Sequence, residues 1–263
     1  MFSLTFSFFI LGLIIGSFLN VLVYRLKDVE TLLGRSFCRS CRHQIRWYDN
    51  IPLLSFVLLK GECRDCKSGI SWQYPFLEIL TAGLFAFAGA YFFSPRDVSS
   101  WLETAWLLGI IACFVVIAAY DLRYMEIPII LLFVSLGLTL LFFTLQFHSG
   151  QALWSSRIGL GLFGGAAVSL FFFALVFMSK ETWMGWGDVW LGFVCGMIVG
   201  LPLALFMLTL SFTLGAFVGV AGIFLKGKSL KSQVPFAPFL VVGTLSTVFL
   251  QHIFPEFIRF FLL

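Results

Sequence analysis

Long apolar runs constrain what this chain can fold into more than any other feature of its sequence. They lie at about 4–24, 75–93, 102–120, 128–147, 158–178, 189–203, 204–225 and 234–253. A helix of about 20 apolar residues crosses the hydrocarbon core of a bilayer, and only a helix satisfies every backbone polar group in such a run. The runs therefore predict an all-α integral membrane protein with about eight transmembrane helices.

The composition excludes several other classes of protein. Hydrophobic residues make up 60% of the 263 residues and charged residues only 11%, whereas a soluble domain carries about 25% charged residues. A soluble enzyme, a disordered chain and a nucleic-acid-binding module are all incompatible with these values. Membrane lipid is therefore an expected partner, and nucleic acid is not.

One long polar segment divides the chain into three predicted parts. The first run has no basic residue before it and no small-residue cleavage site after it, so we interpret 1–24 as a retained transmembrane helix rather than a signal peptide. Residues 25–73 form a polar loop, and residues 74–263 form a seven-helix membrane core. The boundary inside 189–225 is the least defined, because Pro202 and a short joint at 200–203 also fit one long re-entrant element.

The distribution of basic residues predicts the orientation in the membrane. If the 25–73 loop is cytoplasmic, alternation also places 121–127, 179–188 and 226–233 in the cytoplasm. These four segments hold 14 of the 17 Lys and Arg residues, and Lys and Arg collect in cytoplasmic loops. Both termini are then expected outside.

Two acidic residues at run boundaries are the predicted catalytic groups. Asp121 ends the third run and Asp188 begins the sixth, so alternation brings both to the cytoplasmic edge of the membrane. Ionisable groups near hydrocarbon are costly and are functional candidates by default. Two neighbouring carboxylates that share a proton can activate water and protonate a leaving amine.

Each acid also has a purely structural interpretation. Asp188 can serve only as a helix cap, and Asp121 can be a solvated residue past a helix end. Gly185 and Gly187 favour function at Asp188, because glycine permits positive φ and close approach of a substrate chain. Pro128 fits the first turn of the following helix and fixes a short loop after Asp121. The helix dipole favours an ionised Asp188 and a protonated Asp121.

The polar loop contains two Cys-x-x-Cys pairs separated by 21 residues, Cys38 with Cys41 and Cys63 with Cys66. This spacing indicates a tetrahedral zinc site. Four thiolate ligands leave no open position for water, so the zinc would be structural. A redox pair or four free thiols are the alternatives, but disulfides rarely persist in the cytoplasm.

Other polar residues carry weaker signals. Glu78 lies near the start of the second run, where it can cap that helix, and a binding role is the alternative. No histidine pairs with a Ser or Cys in an evident motif. Glycine pairs four residues apart inside the runs predict close helix packing; they are Gly12/Gly16, Gly161/Gly165, Gly196/Gly200 and Gly215/Gly219.

Taken together, the motifs are similar to those of the bacterial type 4 prepilin peptidases, and they cover nearly the whole chain. They are Gly16-Ser-Phe-Leu-Asn-Val-Leu-Val-Tyr-Arg25, both Cys pairs, Arg46-Trp-Tyr-Asp-Asn-Ile-Pro52, Tyr74-Pro-Phe-Leu-Glu-Ile-Leu80, Asp121 to Pro128, Gly185-x-Gly187-Asp188 and Pro235-Phe-Ala-Pro-Phe239. Their order and spacing together are specific to this family.

The resemblance implies a GxGD-type aspartic protease of the bacterial inner membrane, with Asp121 and Asp188 as its catalytic pair. Its substrates would be prepilins and pseudopilins of type IV pili and type II secretion, cleaved after a Gly at the cytoplasmic face. The family also methylates the new amino terminus with S-adenosylmethionine, a reaction associated with the 25–73 loop and with Glu78 as a candidate contributor. Two residues depart from the family pattern, Trp186 for the common Met and Trp190 for the usual Lys.

Two other functions compete with this reading. A transporter can use paired carboxylates as a proton or cation path, but such sites tend to lie near the bilayer midplane. A zinc-loop sensor without catalysis would leave the Gly-x-Gly-Asp segment unexplained.

Overall fold

A computed structural model of the chain describes residues 2–28, 34–147, 154, 156–226 and 234–256. In this part of the chain the secondary structure is almost entirely helical, with only isolated β-bridges besides. The helices are α1 Phe2–Asp28, α2 Leu54–Leu58, α3 Gln73–Phe92, α4 Val98–Tyr124, α5 Ile129–Leu145, α6 Arg157–Ser179, α7 Trp186–Val199, α8 Leu201–Lys226 and α9 Ala237–Ile253, with a 3₁₀ turn at Trp47–Asn50.

The all-α membrane architecture is confirmed. Helices α1, α3, α4, α6 and α8 are long and apolar enough to cross a membrane, while α5, α7 and α9 are shorter apolar helices. Each of the eight corresponds to one of the predicted apolar runs. The division of the chain into 1–24, 25–73 and 74–263 stays a prediction.

The boundary between α7 and α8 differs from the sequence prediction. The helices meet at Gly200, whose φ of 81° lies in the left-handed region that favours glycine. The Gly200 N–H donates to the Gly196 carbonyl at 2.8 Å and closes α7. The break therefore lies at the first residue of the predicted 200–203 joint and three residues before the predicted end of the sixth run, and a re-entrant path for this helix pair stays a prediction.

The chain forms two compact units, Met1–Val116 and Ile117–Leu263. In the first unit α1 packs closely on α3. A Cβ added at Gly12 would lie 2.5 Å from the Ala82 Cα, and one at Gly16 would lie 2.8 Å from the Glu78 Cα. The first predicted glycine pair therefore mediates a close helix contact.

In the second unit α6 packs closely on α7. A Cβ at Gly164 would lie 2.5 Å from the Gly196 carbonyl oxygen, and one at Gly161 would lie 2.8 Å from that of Met197. The last glycine pair meets the prediction only in part, since a Cβ at Gly215 would lie 3.4 Å from the Phe239 ring whereas nothing lies within 4 Å of one at Gly219. Glycine spacing alone therefore did not distinguish a packed face from an open one.

Candidate active site and metal centre

Asp121 lies in the last turn of α4, as the sequence predicts, and its side chain is only 6% exposed. Its Oδ2 accepts a hydrogen bond of 3.1 Å from the backbone N–H of Ala237, the first residue of α9. This contact joins positions 116 residues apart in the chain. The beginning of α9 therefore helps to orient the buried carboxylate.

Asp188 is the third residue of α7 and is partly buried. Its Oδ2 accepts from the Gly185 N–H at 3.2 Å, and its own N–H donates to the Gly185 carbonyl at 3.1 Å. Asp188 thus also contributes to capping α7, as its structural interpretation predicted. The segments that carry Asp121 and Asp188 approach each other closely, because a Cβ built at Gly187 would lie 3.1 Å from the Ile127 Cβ.

The glycines before Asp188 act differently from the sequence expectation. Gly185 is extended, with φ −94° and ψ 165°, and Gly187 does not have positive φ. A Cβ at Gly187 would lie 3.1 Å from the Ile127 Cβ, whereas one at Gly185 would meet only the Gly187 N, at 4.0 Å. Gly187 therefore permits close packing against the segment that follows Asp121, and the positive-φ argument is wrong.

The segment that follows Asp121 adopts a left-handed backbone conformation without glycine. Met125 follows α4 with a φ of 54°, and its N–H donates to the Asp121 carbonyl at 2.8 Å. Pro128 is the N-cap of α5, with φ −73° and ψ 105°, and not a first-turn residue as expected. The predicted short loop between Asp121 and α5 is present.

Sequence reasoning missed how the start of α9 is held. Phe236 precedes Ala237, and its ring lies 4.9 Å from that of Phe212 in α8 and 5.8 Å from that of Phe172 in α6. These aromatic contacts support the turn that presents the Ala237 N–H to Asp121. The Pro-Phe-Ala-Pro-Phe motif was the available signal, but it did not indicate a backbone donor.

The four loop cysteines form one cluster, as predicted. The Sγ atoms of Cys38, Cys41, Cys63 and Cys66 all lie within 4.8 Å of one another. The Cys38 and Cys66 Sγ atoms are 3.8 Å apart, which matches the separation of about 3.8 Å that tetrahedral Zn–S bonds of about 2.3 Å require. The donor set therefore fits a structural zinc ion.

The two Cys-x-x-Cys turns repeat the same backbone geometry. The first closes with hydrogen bonds from Cys38 N to His43 O and from Arg42 N to Cys38 O, at 2.8 and 2.9 Å. The corresponding bonds from Cys63 and Lys67 in the second turn measure 2.8 and 3.0 Å. Arg42 and Lys67 also share a φ near 60°. Two equivalent knuckles thus present two sulfurs each to a common centre.

An ion pair connects the second knuckle to the 3₁₀ turn. The Arg64 guanidinium donates to both carboxylate oxygens of Asp49, at 2.8 and 2.6 Å. These hydrogen bonds hold the pKa of Asp49 below its usual value, because they favour the charged carboxylate. The bidentate geometry helps to order the loop around the cysteine cluster.

Two family models match the chain in consecutive regions. One, described as the bacterial peptidase A24 N-terminal domain, matches residues 10–92, and the other, the type IV leader peptidase family, matches residues 107–220. An Escherichia coli protein named "Type 4 prepilin-like proteins leader peptide-processing enzyme" is 32% identical, over 92% of this chain and 93% of that protein. The chain belongs to the type IV leader peptidase family.

Other relatives agree with this assignment. A "Prepilin leader peptidase/N-methyltransferase" of Bacillus subtilis is 33% identical over 90% of each chain. A protein of the same name from Pseudomonas aeruginosa is 28% identical, over 89% of this chain and 86% of its own length. No solved structure matches the chain. This leader peptidase is thus an integral membrane protease.

Glu78 of the leader peptidase anchors the loop to α3. Its side chain is 6% exposed, and its Oε2 accepts a 2.8 Å hydrogen bond from the backbone N–H of Leu53. Glu78 therefore caps the short helix α2, and not the helix that contains it as expected. A contribution of Glu78 to methyl transfer stays a prediction.

The two tryptophans that depart from the family pattern flank Asp188 on α7, and both are exposed. The Trp186 Nε1–H donates to the Glu181 Oε1 at 2.7 Å, and its ring lies 5.8 Å from that of Phe173. Glu181 has a φ of 64°, a conformation that a residue with a Cβ rarely adopts. Trp186 is thus fixed in place beside the acid pair.

Proposed function

We propose that this leader peptidase hydrolyses the peptide bond after a Gly in prepilins and pseudopilins, with Asp121 and Asp188 as catalytic residues. The observation that carries the proposal is the close approach of the end of α4, which carries Asp121, to the start of α7, which carries Asp188, through Ile127 and Gly187. The names of the relatives support prepilins as the substrate class.

The chemistry divides between the two carboxylates. The ionised one accepts a proton from water as the water oxygen attacks the scissile carbonyl carbon. The protonated one donates its proton to the amide nitrogen as the C–N bond breaks, which releases an amine and a carboxylic acid. Asp188 lies at a helix N-terminus, where the dipole favours the anion, so it is proposed as the initial base. Asp121, at a helix C-terminus, is the proposed acid.

The location of the acids suits a substrate that remains in the membrane. A prepilin carries a short basic leader followed by an apolar helix, so its scissile bond lies where the chain leaves the bilayer. Acids at helix ends reach this level, whereas a transport path would place them near the midplane. The proposed setting is the inner membrane, with the site at the cytoplasmic face and both termini outside.

Methylation of the new amino terminus is a second proposed activity. It is supported by the N-methyltransferase names of the relatives and by the resemblance to the family, which implies S-adenosylmethionine as the methyl donor. The loop 25–73 is the proposed region for this activity, and the membrane core 74–263 the proposed peptidase. The described residues assign no group to the donor.

Cleavage of a purified prepilin by the reconstituted protein tests the proposed peptidase. Asp121→Asn and Asp188→Asn keep the side-chain size and remove the titratable oxygen, so each is expected to lower kcat by about 10⁴-fold or more. Glu126→Gln is the matched control, because Glu126 lies near Asp121 in sequence and has no proposed catalytic role. Cleavage that persists in Asp188→Asn would refute the acid pair.

A further inference from the structure

The short helix α2 exposes an apolar face although it lies outside the membrane-spanning helices. Leu54, Val57 and Leu58 are 51%, 69% and 70% exposed. They follow the i, i+3, i+4 spacing of one helical face. The opposite face points inward, because Ser55 is buried and its Oγ donates to the Tyr48 carbonyl at 2.9 Å.

The beginning of α3 lies beside α2, and its exposed side is also apolar. Trp72 and Phe76 are exposed at the beginning of α3, and Ile79 and Leu80 extend the same face along a helix long enough to span the membrane. The rings of Phe56 in α2 and Trp72 lie 5.0 Å apart. The half-buried side of α2 therefore packs against the beginning of α3, while its Leu54, Val57 and Leu58 face stays exposed.

The anchor at Glu78 fixes the depth of α2. The N–H of Leu53, the N-cap of α2, bonds to the carboxylate of Glu78. Glu78 is five residues beyond Gln73, where α3 begins, so it lies about 7 Å further along the helix axis at 1.5 Å per residue. Because helical side chains tilt toward the helix N-terminus, the beginning of α2 is held beside the first turns of α3, a helix long enough to span a membrane.

The side chains around α2 suit the boundary between headgroups and acyl chains. Trp47 and Trp72 are exposed on either side of it in sequence, and tryptophan is enriched at this boundary. Lys60 follows α2 and is also exposed, so its ammonium group can meet lipid phosphates. The two cysteine knuckles instead expose polar residues, including Arg42, His43 and Lys67.

We propose that α2 is an in-plane membrane anchor, whose Leu54, Val57 and Leu58 face inserts into the bilayer at the headgroup–acyl boundary. The occupant of this face is phospholipid. Amphipathic helices at the membrane surface bury their apolar face about 5–10 Å into the headgroup–acyl boundary, and the bond from Leu53 to Glu78 keeps α2 beside the first turns of a helix long enough to span the membrane. The anchor seats the cysteine loop against the membrane surface.

Photo-crosslinking from single positions tests the anchor. p-Benzoylphenylalanine replaces Val57 or Leu58 in the full zinc-loaded chain, which is reconstituted in vesicles of phosphatidylethanolamine and phosphatidylglycerol and irradiated. Intact-mass measurement is expected to show phospholipid adducts at both positions. Both side chains are mostly exposed, so the larger ring does not disturb packing.

Gly69 provides the control position. It lies on the second knuckle, and a Cβ built there meets nothing within 4 Å. The same photo-reactive residue at Gly69 is expected to give no phospholipid adduct. The proposal is overturned if Val57 and Leu58 give no more lipid adduct than Gly69. It is also overturned if they crosslink instead to a second copy of the chain or to an added prepilin.

Discussion

At the scale of single residues, Gly187 couples the two segments that carry the acids. A Cβ at this position would lie 3.1–3.3 Å from three atoms of Ile127, on the segment after Asp121. Gly187→Ala is expected to displace that segment by a few tenths of an ångström. Because a shift of about 1 Å costs about 100-fold in rate, we expect kcat for prepilin cleavage to fall roughly tenfold with little change in KM.

Gly185→Ala is the matched control, since a Cβ there meets only one atom at 4.0 Å. It is expected to retain the parent kcat. Ile127→Ala should restore activity in the Gly187→Ala background, because it removes the side-chain atoms that the new methyl group approaches. Equal losses in Gly185→Ala and Gly187→Ala would show that the Ile127 contact is not the cause.

The residue scale also shows what the sequence can reveal about the site. Asp121, Asp188 and the four cysteines were predictable, because their side chains have specific chemistry at characteristic places. The Ala237 N–H was not, because every residue except proline has one and only the tertiary fold aims it. The left-handed conformations of Met125 and Glu181 were equally hidden, since neither is glycine.

At the scale of elements, the cysteine knuckles depend on their metal. Two five- to six-residue turns and a five-residue helix bury too little apolar surface to fold alone. We expect about one zinc per chain in the parent protein and loss of it in Cys66→Ser, together with rapid proteolysis of the loop. Metal content and the rate of proteolysis are the two measurements.

Cys113→Ala is the control for this change, because Cys113 is buried in α4 and lies outside the cluster. It is expected to keep the zinc. Prepilin cleavage should persist in Cys66→Ser, since both acids belong to the Ile117–Leu263 unit and the cysteine cluster belongs to the other. Full zinc occupancy in Cys66→Ser would refute the four-thiolate site.

The α1–α3 pair gives a second prediction at this scale. Gly12→Val adds side-chain atoms where α3 backbone already lies 2.5 Å from a Cβ. We expect it to destabilise the protein by about 2 kcal/mol through overpacking, measured as the midpoint of thermal unfolding in detergent. Gly83→Val is the same substitution in the partner helix α3 at a position that faces open space, so its midpoint should stay near that of the parent.

Element boundaries can be predicted where the composition changes abruptly, and their prediction fails where it does not. The polar loop clearly marks where α1 ends and where α3 begins. Between α7 and α8 the chain is apolar throughout, and the break depends on the positive φ of Gly200 rather than on Pro202. That stretch contains several glycines, and nothing in the sequence indicates which of them adopts a positive φ.

At the scale of the whole molecule, orientation in the membrane determines whether the proposed site meets its substrate. Prepilin leaders are basic and remain in the cytoplasm, so the Asp188 end of α7 must face inward. The uneven distribution of Lys and Arg predicts this arrangement. The length and composition of the helices do not distinguish the two orientations, because an apolar helix can cross the membrane in either direction.

Labelling of introduced cysteines in intact cells tests the orientation. Thr182 lies between α6 and α7, close to Asp188 in sequence, and Ser99 lies in the first turn of α4; both are exposed. A membrane-impermeant maleimide should react with Ser99→Cys in intact cells, and with Thr182→Cys only after permeabilisation. The parent protein provides the background, because its exposed cysteines belong to the loop expected inside. Reaction of Thr182→Cys in intact cells would place the acids on the wrong side for a cytoplasmic leader, whatever their chemistry.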